Sequence, residues 1–155
     1  SRGFFARNWC KKEFEAHGIN ALPVQINTSY SKQRGTIRGL HYQLEPFAET
    51  KLMRCIQGAI YDVILDLRPD SPAYRQWIAI ELSAASARMV FVPECCGHGF
   101  QSLEDHSVAL YQVSQFYSSV HERGIRYNDP AFSITWPLKV TVISEKDLYW
   151  NDFCC

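Results

Sequence analysis

Hydrophobic and polar residues alternate along most of the chain from Val24 onward, and a period of two residues is typical of β-strands. The clearest run is 59–67, where the odd-numbered apolar residues share one face and Asp62 and Asp66 lie on the other. We predict further strands at 76–82, 88–92 and 107–115.

Turn-forming residues separate the predicted strands. Residues 68–72 (RPDSP) contain two prolines with a fixed φ, 104–106 (EDH) predict a hairpin tip, and 127–130 (YNDP) predict another turn. Many short strands at this spacing favour an antiparallel β-sandwich or barrel.

One short helix is expected before the β-region. Asn8 is the candidate N-cap, Trp9 and Phe14 share an inner face, and Gly18 ends the helix. Pro23 then closes the helical region. The aromatic segment 148–155 gives no clear prediction.

Composition limits the class of protein. The 155 residues suit one domain, and 46% hydrophobic with 21% charged residues is a globular composition. Sixteen basic residues balance sixteen acidic ones, so no overall field attracts nucleic acid or an anionic membrane. No apolar run approaches the roughly 20 residues of a membrane span, and the start is not a signal peptide. We therefore expect a single domain over residues 1–155.

The cysteines favour a reducing compartment. There are six, two adjacent pairs among them, and no C-x-x-C spacing indicates zinc. Adjacent cysteines fit a disulfide framework poorly, so we expect a cytoplasmic protein with reduced thiols. The six are Cys10, Cys55, Cys95, Cys96, Cys154 and Cys155.

Three segments carry candidate chemistry: 38–43 (RGLHYQ), 93–100 (PECCGHGF) and 143–147 (ISEKD). Each also has a structural interpretation. A single histidine in a strand is more often structural than catalytic, Gly-His-Gly can be a bend, and 144–147 can be an exposed turn. Period and composition alone therefore indicate a β domain without an assigned function.

Taken together, the segments resemble the dTDP-4-dehydrorhamnose 3,5-epimerase family over nearly the whole chain. The resemblance implies an all-β, antiparallel cupin-like sandwich (a jelly roll) with a short N-terminal helix. It also implies a homodimer with exchanged N-terminal segments, and no metal or organic cofactor. Because Ser1 is not a methionine, we expect N-terminal residues of the family to be missing. The matching segments, in order, are 2–5, 38–43, 51–55, 66–68, 71–72, 76–77, 81–84, 93–94, 98–100, 110–111, 128–130, 136–137 and 144–147.

Cupin folds often hold a metal ion. His41 and His98 are the candidate ligands, but a cupin site usually needs a His-x-His pair and a carboxylate. Tyr42 and Gln43 follow His41, so the second histidine is absent. Two imidazoles alone bind a divalent ion poorly, and we expect no metal.

The implied reaction is epimerisation at carbons beside the 4-keto group of a nucleotide-linked 4-keto-6-deoxyhexose, in deoxysugar biosynthesis such as the dTDP-rhamnose pathway. His41 suits the base, because imidazole titrates near neutral pH. The resemblance pairs His41 with Asp147, points Lys51 at the ketone oxygen and makes Tyr111 the acid on the far sugar face. From the residues alone, the favoured interpretation of Lys51 is an exposed strand lysine, and Tyr111 can be a core aromatic residue.

The resemblance also assigns substrate contacts. Arg38 lies near the phosphates, where its guanidinium suits bidentate binding. His98 lies near the sugar or diphosphate, and Tyr117 stacks near the base. The remaining predicted contacts are Gln25 and Asn27 near the nucleotide, with Arg2 and Phe5 supplied by the partner subunit.

Departures from the family pattern concern the substrate. Arg7 replaces an acidic residue, Cys95 a glycine, Cys96 an aromatic residue, and Phe116 a tyrosine. A guanidinium can donate to the bare N3 of cytosine, so a CDP-linked sugar is an alternative to the dTDP-linked sugar that the family implies. Two alternatives to an epimerase stay open: a sugar-nucleotide 3,4-ketoisomerase of the same fold, and a non-catalytic sugar-nucleotide-binding sandwich.

Overall fold

The structure, a computed structural model, describes residues 2–19 and 22–153. Cys154 and Cys155 lie outside the described residues. The elements in chain order are α1 (Lys11–Ala16), β1 (Gln25–Ser31), β2 (Ile37–Gln43), β3 (Lys51–Gln57), β4 (Ala59–Asp66), β5 (Trp77–Ser83), β6 (Met89–Val92), β7 (Cys96–Ser102), β8 (Ser107–Val113), β9 (Glu122–Gly124) and α2 (Glu145–Leu148).

The strands form two antiparallel sheets. One has the order β1-β8-β3-β6, and the other has the order β5-β4-β7-β2-β9. Apart from β4 and β5, consecutive strands lie in different sheets, as in a jelly roll. The predicted all-β antiparallel sandwich with a short N-terminal helix is confirmed.

The predicted strands are confirmed to within one or two residues, and β4 shows why the pattern was clear. Its apolar face packs in a cluster with Val63 and Leu65 at its centre, together with Phe132 from the C-terminal region. The opposite face of β4, with Asp62, turns into the sandwich and is also buried. A second core cluster, between the sheets, includes Ile60 and Phe100.

The predicted hairpin at 104–106 is wrong. The turn exists, but it joins β7 of the five-stranded sheet to β8 of the four-stranded sheet, so the two strands do not pair. Phe100 of β7 and Ala109 of β8 share one core cluster, so the chain crosses from one layer to the other to bury both. Ser107 fixes the turn by donating its hydroxyl to the carbonyl of Glu104 at 2.8 Å.

Helix α1 exists, but its predicted cap is wrong. Its N-cap residue is Cys10, whose side chain makes no capping bond. Asn8 instead accepts a hydrogen bond from the guanidinium of Arg54 on β3. The predicted contact of Trp9 with Phe14 is confirmed, with ring centroids 6.3 Å apart. Within the described ranges, no helix has the length and apolar character needed to span a bilayer.

Candidate active site

A cleft of about 530 Å³ opens between the two sheets. Strand β2, strand β7 and the segment before α2 form one side, and β3 and β8 form the other. Six of the predicted site residues line it: Arg38, His41, Lys51, His98, Tyr111 and Asp147. Asp147 lies 106 residues after His41 in the chain. The two meet because the segment before α2 runs beside β2, where the backbone N–H of Ile37 donates to the carbonyl of Val142 at 2.9 Å.

Close approach of β2 to β7 builds the histidine-bearing wall. Gly39 has φ +106°, and a Cβ added there would lie 2.6 Å from the carbonyl oxygen of His98. No L side chain fits that space, so glycine is required at this position. The approach sets His41 opposite His98 in register, and both side chains reach the cleft.

His41 and Asp147 form a pair at the cleft. Nε2 of His41 lies 2.5 Å from Oδ1 of Asp147, whose other oxygen accepts the backbone N–H of Gly39 at 3.2 Å. Ser144 caps α2 by accepting the backbone N–H of Asp147 at 3.1 Å, which fixes the start of this short helix. The predicted pairing is therefore present in the structure, and the 144–147 segment is a capped helical turn.

The environment of Asp147 favours its charged form. Only 3% of the residue is exposed, and this burial opposes ionisation. The hydrogen bond and charge of His41, with the Gly39 N–H and Ser144, outweigh burial and lower the pKa of Asp147. An anionic Asp147 can orient the imidazole and stabilise its protonated form.

Lys51 is buried, not an exposed strand lysine. Its ammonium donates to the backbone carbonyl of His41 at 3.1 Å and pairs with Glu49 at 3.2 Å. Glu49 could not be predicted as a site residue, because a carboxylate two residues before a strand lysine carries no signal of its own. The two contacts hold the ammonium at the cleft wall, next to the residue that carries the candidate base.

Tyr111 reaches the cleft from the sheet opposite His41. Among residues 2–19 and 22–153, its hydroxyl has no hydrogen-bond partner, so it can bind a ligand. Burial raises the pKa of Tyr111, the charge of Glu49 raises it further, and the charge of Arg38 opposes both. The phenol is therefore protonated at neutral pH and can donate.

A second histidine–carboxylate pair lies deeper in the sandwich. Nε2 of His98 is 3.0 Å from both carboxylate oxygens of Asp62, and both residues are buried. Asp62 engages Nε2, so Nδ1 is the ring nitrogen that Asp62 leaves free for a ligand. The signal for Asp62 was present in the sequence, since it lies on the β4 face opposite the apolar residues.

Cations lie at the mouth of the cleft. Arg38 donates to the carbonyl of Tyr30 at 2.7 Å and still lines the cleft. Lys146, which was not among the predicted site residues, also lines the cleft and pairs with Glu122 at 2.8 Å. Glu122 in turn accepts the hydroxyl of Tyr117 at 2.9 Å. An anionic group at this mouth would meet positive charge.

Five predicted contacts lie outside the cleft. Asn27 and Gln25 share the strand face of Ser29, which does line the cleft, and Gln25 accepts the backbone N–H of Tyr117 at 3.0 Å. The other three, Tyr117, Arg2 and Phe5, are exposed. Their binding roles stay predictions.

Metal-ligating residues do not gather in the cleft. Within the described part of the chain, no three His, Cys, Asp or Glu side chains form a group suited to a metal ion. His41 and His98 are each engaged by one carboxylate instead. The expectation of a metal-free site stays a prediction.

The chain resembles one family of known proteins over almost its full length. A family model described as dTDP-4-dehydrorhamnose 3,5-epimerase matches residues 1–154. The enzyme of that name from Sinorhizobium fredii is 44% identical over 99% of this chain and 79% of its own length. The one from Shigella flexneri is 42% identical over 98% of this chain and 84% of its own length.

Solved structures agree with this likeness. A dTDP-4-dehydrorhamnose 3,5-epimerase from Bacillus anthracis, with TDP and PPi bound, is 45% identical and has a TM-score of 0.95, covering 98% of this chain and 87% of its own. A dTDP-6-deoxy-D-glucose-3,5-epimerase from Legionella pneumophila, in complex with dTDP-4-keto-L-rhamnose, is 37% identical and has a TM-score of 0.87. That match covers 94% of this chain and 78% of the other.

Proposed function

The chain belongs to the dTDP-4-dehydrorhamnose 3,5-epimerase family, and we propose that it acts as such an epimerase. It is an isomerase that inverts C3, C5 or both in a nucleotide-linked 4-keto-6-deoxyhexose, a step of deoxysugar biosynthesis. One observation carries the proposal. A histidine–carboxylate pair, His41 with Asp147, and a protonated phenol, Tyr111, face one cleft from opposite sheets, with the ammonium of Lys51 beside them.

The reaction begins with His41, which removes the proton from the carbon beside the ketone. Asp147 stabilises the imidazolium that forms. The electrons of the C–H bond move into an enolate, whose oxygen receives the charge and meets the Lys51 ammonium. A fixed donor aimed at charge that develops in the transition state lowers the barrier.

Tyr111 completes the inversion by returning a proton to the same carbon from the opposite face of the ring. The enolate collapses to the ketone, His41 loses its proton to solvent, and the Tyr111 phenolate regains one. Proton loss and gain balance, and no electron leaves the substrate. The lowered pKa of Asp147 and the raised pKa of Tyr111 provide the protonation states that these steps require.

A dTDP-linked sugar is the substrate that we propose. The Bacillus anthracis relative binds TDP, and the Legionella relative binds dTDP-4-keto-L-rhamnose. Arg38 and Lys146 bring two cations to the mouth of the cleft, which suits a diphosphate. The guanidinium of Arg7, on which the CDP alternative rests, pairs with Glu13 of α1 at 2.9 Å.

We infer a homodimer from exposed apolar surface. Ile26 and Tyr30 project from one face of β1, and Phe4 and Phe5 at the N-terminus are almost fully exposed. Such apolar surface suits a protein–protein interface. An exchanged N-terminal segment would cover these residues and carry Arg2 and Phe5 to the partner's cleft.

We place the protein in the cytoplasm as one domain. The four cysteines in the described part of the chain, Cys10, Cys55, Cys95 and Cys96, are free thiols. Free thiols agree with a reducing compartment.

The proposed function is tested with the purified chain and dTDP-4-keto-6-deoxy-D-glucose. Product is followed by proton NMR, whose ring coupling constants report inversion at C3 and C5 separately. We expect inversion at one or both carbons, and faster turnover than with the CDP-linked sugar. Recovery of unchanged sugar stereochemistry would reject the epimerase, and a product with its ketone at C3 would indicate the ketoisomerase.

A further inference from the structure

Glu49 contacts Lys51, a group of the mechanism, without lining the cleft. Its carboxylate is 3.2 Å from Nζ of Lys51, and its side chain is only 12% exposed. A mostly buried carboxylate needs a compensating partner, and here the partner is a reacting group. Glu49 is not one of the residues that line the cleft, so we expect it to act on the sugar through its neighbours.

The fold fixes the loop that carries Glu49. On one side, Gln43 donates its side-chain N–H to the carbonyl of Phe47 at 2.9 Å. On the other, the backbone N–H of Thr50 donates to the hydroxyl of Ser114 at 2.8 Å. These bonds hold the backbone on both sides of Glu49, so its carboxylate is placed by the fold.

Two of the three N–H donors of the Lys51 ammonium are occupied. One reaches the carbonyl of His41 at 3.1 Å, and one reaches Glu49. The remaining donor is left for the cleft, which Lys51 lines. We propose that Glu49 is a positioning residue, which holds the Lys51 ammonium so that its third N–H meets the ketone oxygen. This role rests on the proposed epimerase function.

Glu49 also acts on Tyr111 through its charge. Burial is the largest cause of the raised pKa of Tyr111, and Glu49 adds to it, whereas Arg38 opposes it. Removing the charge of Glu49 should therefore lower the pKa of Tyr111. Within the described part of the chain, the charged or titratable side chains around Tyr111 in the cleft and beside it are Arg38, His41, Glu49, Lys51, His98, Lys146 and Asp147.

The test measures kcat, KM and the pH dependence of kcat for wild type, Glu49→Gln and Glu49→Asp. Glu45→Gln is the matched control, because Glu45 is an exposed carboxylate on the same loop. We expect Glu49→Gln to lower kcat about 10- to 100-fold, part of the roughly 10²–10³ lost with a whole oxyanion donor. KM should stay within about twofold, since uniform binding is unchanged.

The pH profile separates positioning from a merely structural role. The alkaline limb of the pH profile of kcat is expected to report the loss of the Tyr111 proton. In Glu49→Gln this limb should move to lower pH, because the charge that raises the pKa of Tyr111 is gone. Glu49→Asp keeps the charge but not the reach, so kcat should fall while the limb stays at the wild-type pH.

Several results would overturn the proposal: Glu49→Gln kinetics equal to those of Glu45→Gln, a rise in KM alone, or a lower kcat with an unmoved alkaline limb. If Glu49→Gln does not fold, Glu49→Asp decides, and a wild-type kcat in that variant refutes the role. A wild-type chain that is inactive on the dTDP-linked sugar would remove the proposed function instead, so the two failures are distinguishable.

Discussion

Replacing Asp147 by asparagine probes the base most directly. The substitution keeps the size of the side chain but removes the charge that faces His41 at 2.5 Å. It also permits the amide to donate to the imidazole, which favours the wrong tautomer. The imidazolium formed after proton removal then has no counter-charge.

The size of the expected loss in kcat follows from the charged hydrogen bond that Asp147→Asn removes. A hydrogen bond to a charged group contributes about 1.5–3 kcal/mol, which corresponds to roughly 10- to 150-fold in rate. Loss of the correct tautomer adds to this, and a general base as a whole contributes about 10²–10⁴. We therefore expect Asp147→Asn to lower kcat by about 10²–10⁴ with a much smaller change in KM.

The same substitution has a defined effect on stability. The folded state lowers the pKa of Asp147, so its carboxylate stabilises the fold above the unfolded pKa near 3.8. That contribution disappears as the pH falls through the lower, folded pKa. Asp147→Asn should therefore lose stability at neutral pH and differ little from wild type in strong acid.

The assay is steady-state turnover between pH 6 and 9, with thermal unfolding measured in parallel. Asp70→Asn is the matched control, because Asp70 is exposed in the turn between β4 and β5. It should match wild type in both measurements. Near wild-type kcat in a folded Asp147→Asn protein, or a change confined to KM, would refute the role assigned to the pair.

Three further predictions test other parts of the cleft. Tyr111→Phe should retain solvent exchange of the substrate proton better than inversion, because the base still forms the enolate; equal loss of both, by mass spectrometry and NMR, would contradict this. Exhaustive chelation with EDTA should leave turnover unchanged, whereas a loss restored by one added divalent ion would establish a metal site. Arg7→Gln should leave the ratio of dTDP to CDP affinities unchanged in calorimetry, because Arg7 is held by Glu13; a shift of roughly 5- to 150-fold would show that Arg7 reads the base.

Local features of the fold could be predicted from the sequence, but its connections could not. The alternation that defined β4 reflects one apolar face packed under the C-terminal region, so period and packing agree. The turn at 104–106 has the composition of a hairpin, yet its strands belong to different sheets. Which sheet a strand joins is decided by burial across the sandwich, and no local pattern records it. The prediction that Asn8 caps α1 was wrong for a similar reason, since the Asn8 side chain accepts a hydrogen bond from Arg54 of β3 instead.

The candidate site, like the fold, could be predicted only in part from the sequence. His41, Lys51, Tyr111 and Asp147 were found through the family resemblance, and the structure brings all four to one cleft. Residues that act on these four were missed. Glu49 lies two residues before Lys51, and its contact depends on how the loop is pinned. The sequence pattern predicted the face of β4 on which Asp62 lies. Its partner His98 comes from β7, and only the order of strands in the sheet shows that β7 lies beside β4.

In the proposed mechanism, His41 removes a proton beside the ketone and a proton returns from solvent on the opposite face. Mass spectrometry of dTDP-4-keto-6-deoxy-D-glucose after incubation with the enzyme in heavy water tests it most directly. With wild type we expect one deuterium for each inverted carbon, and with His41→Asn a loss of about 10²–10⁴ in the rate of incorporation. Inverted product without deuterium, or undiminished incorporation by a folded His41→Asn protein, would contradict it.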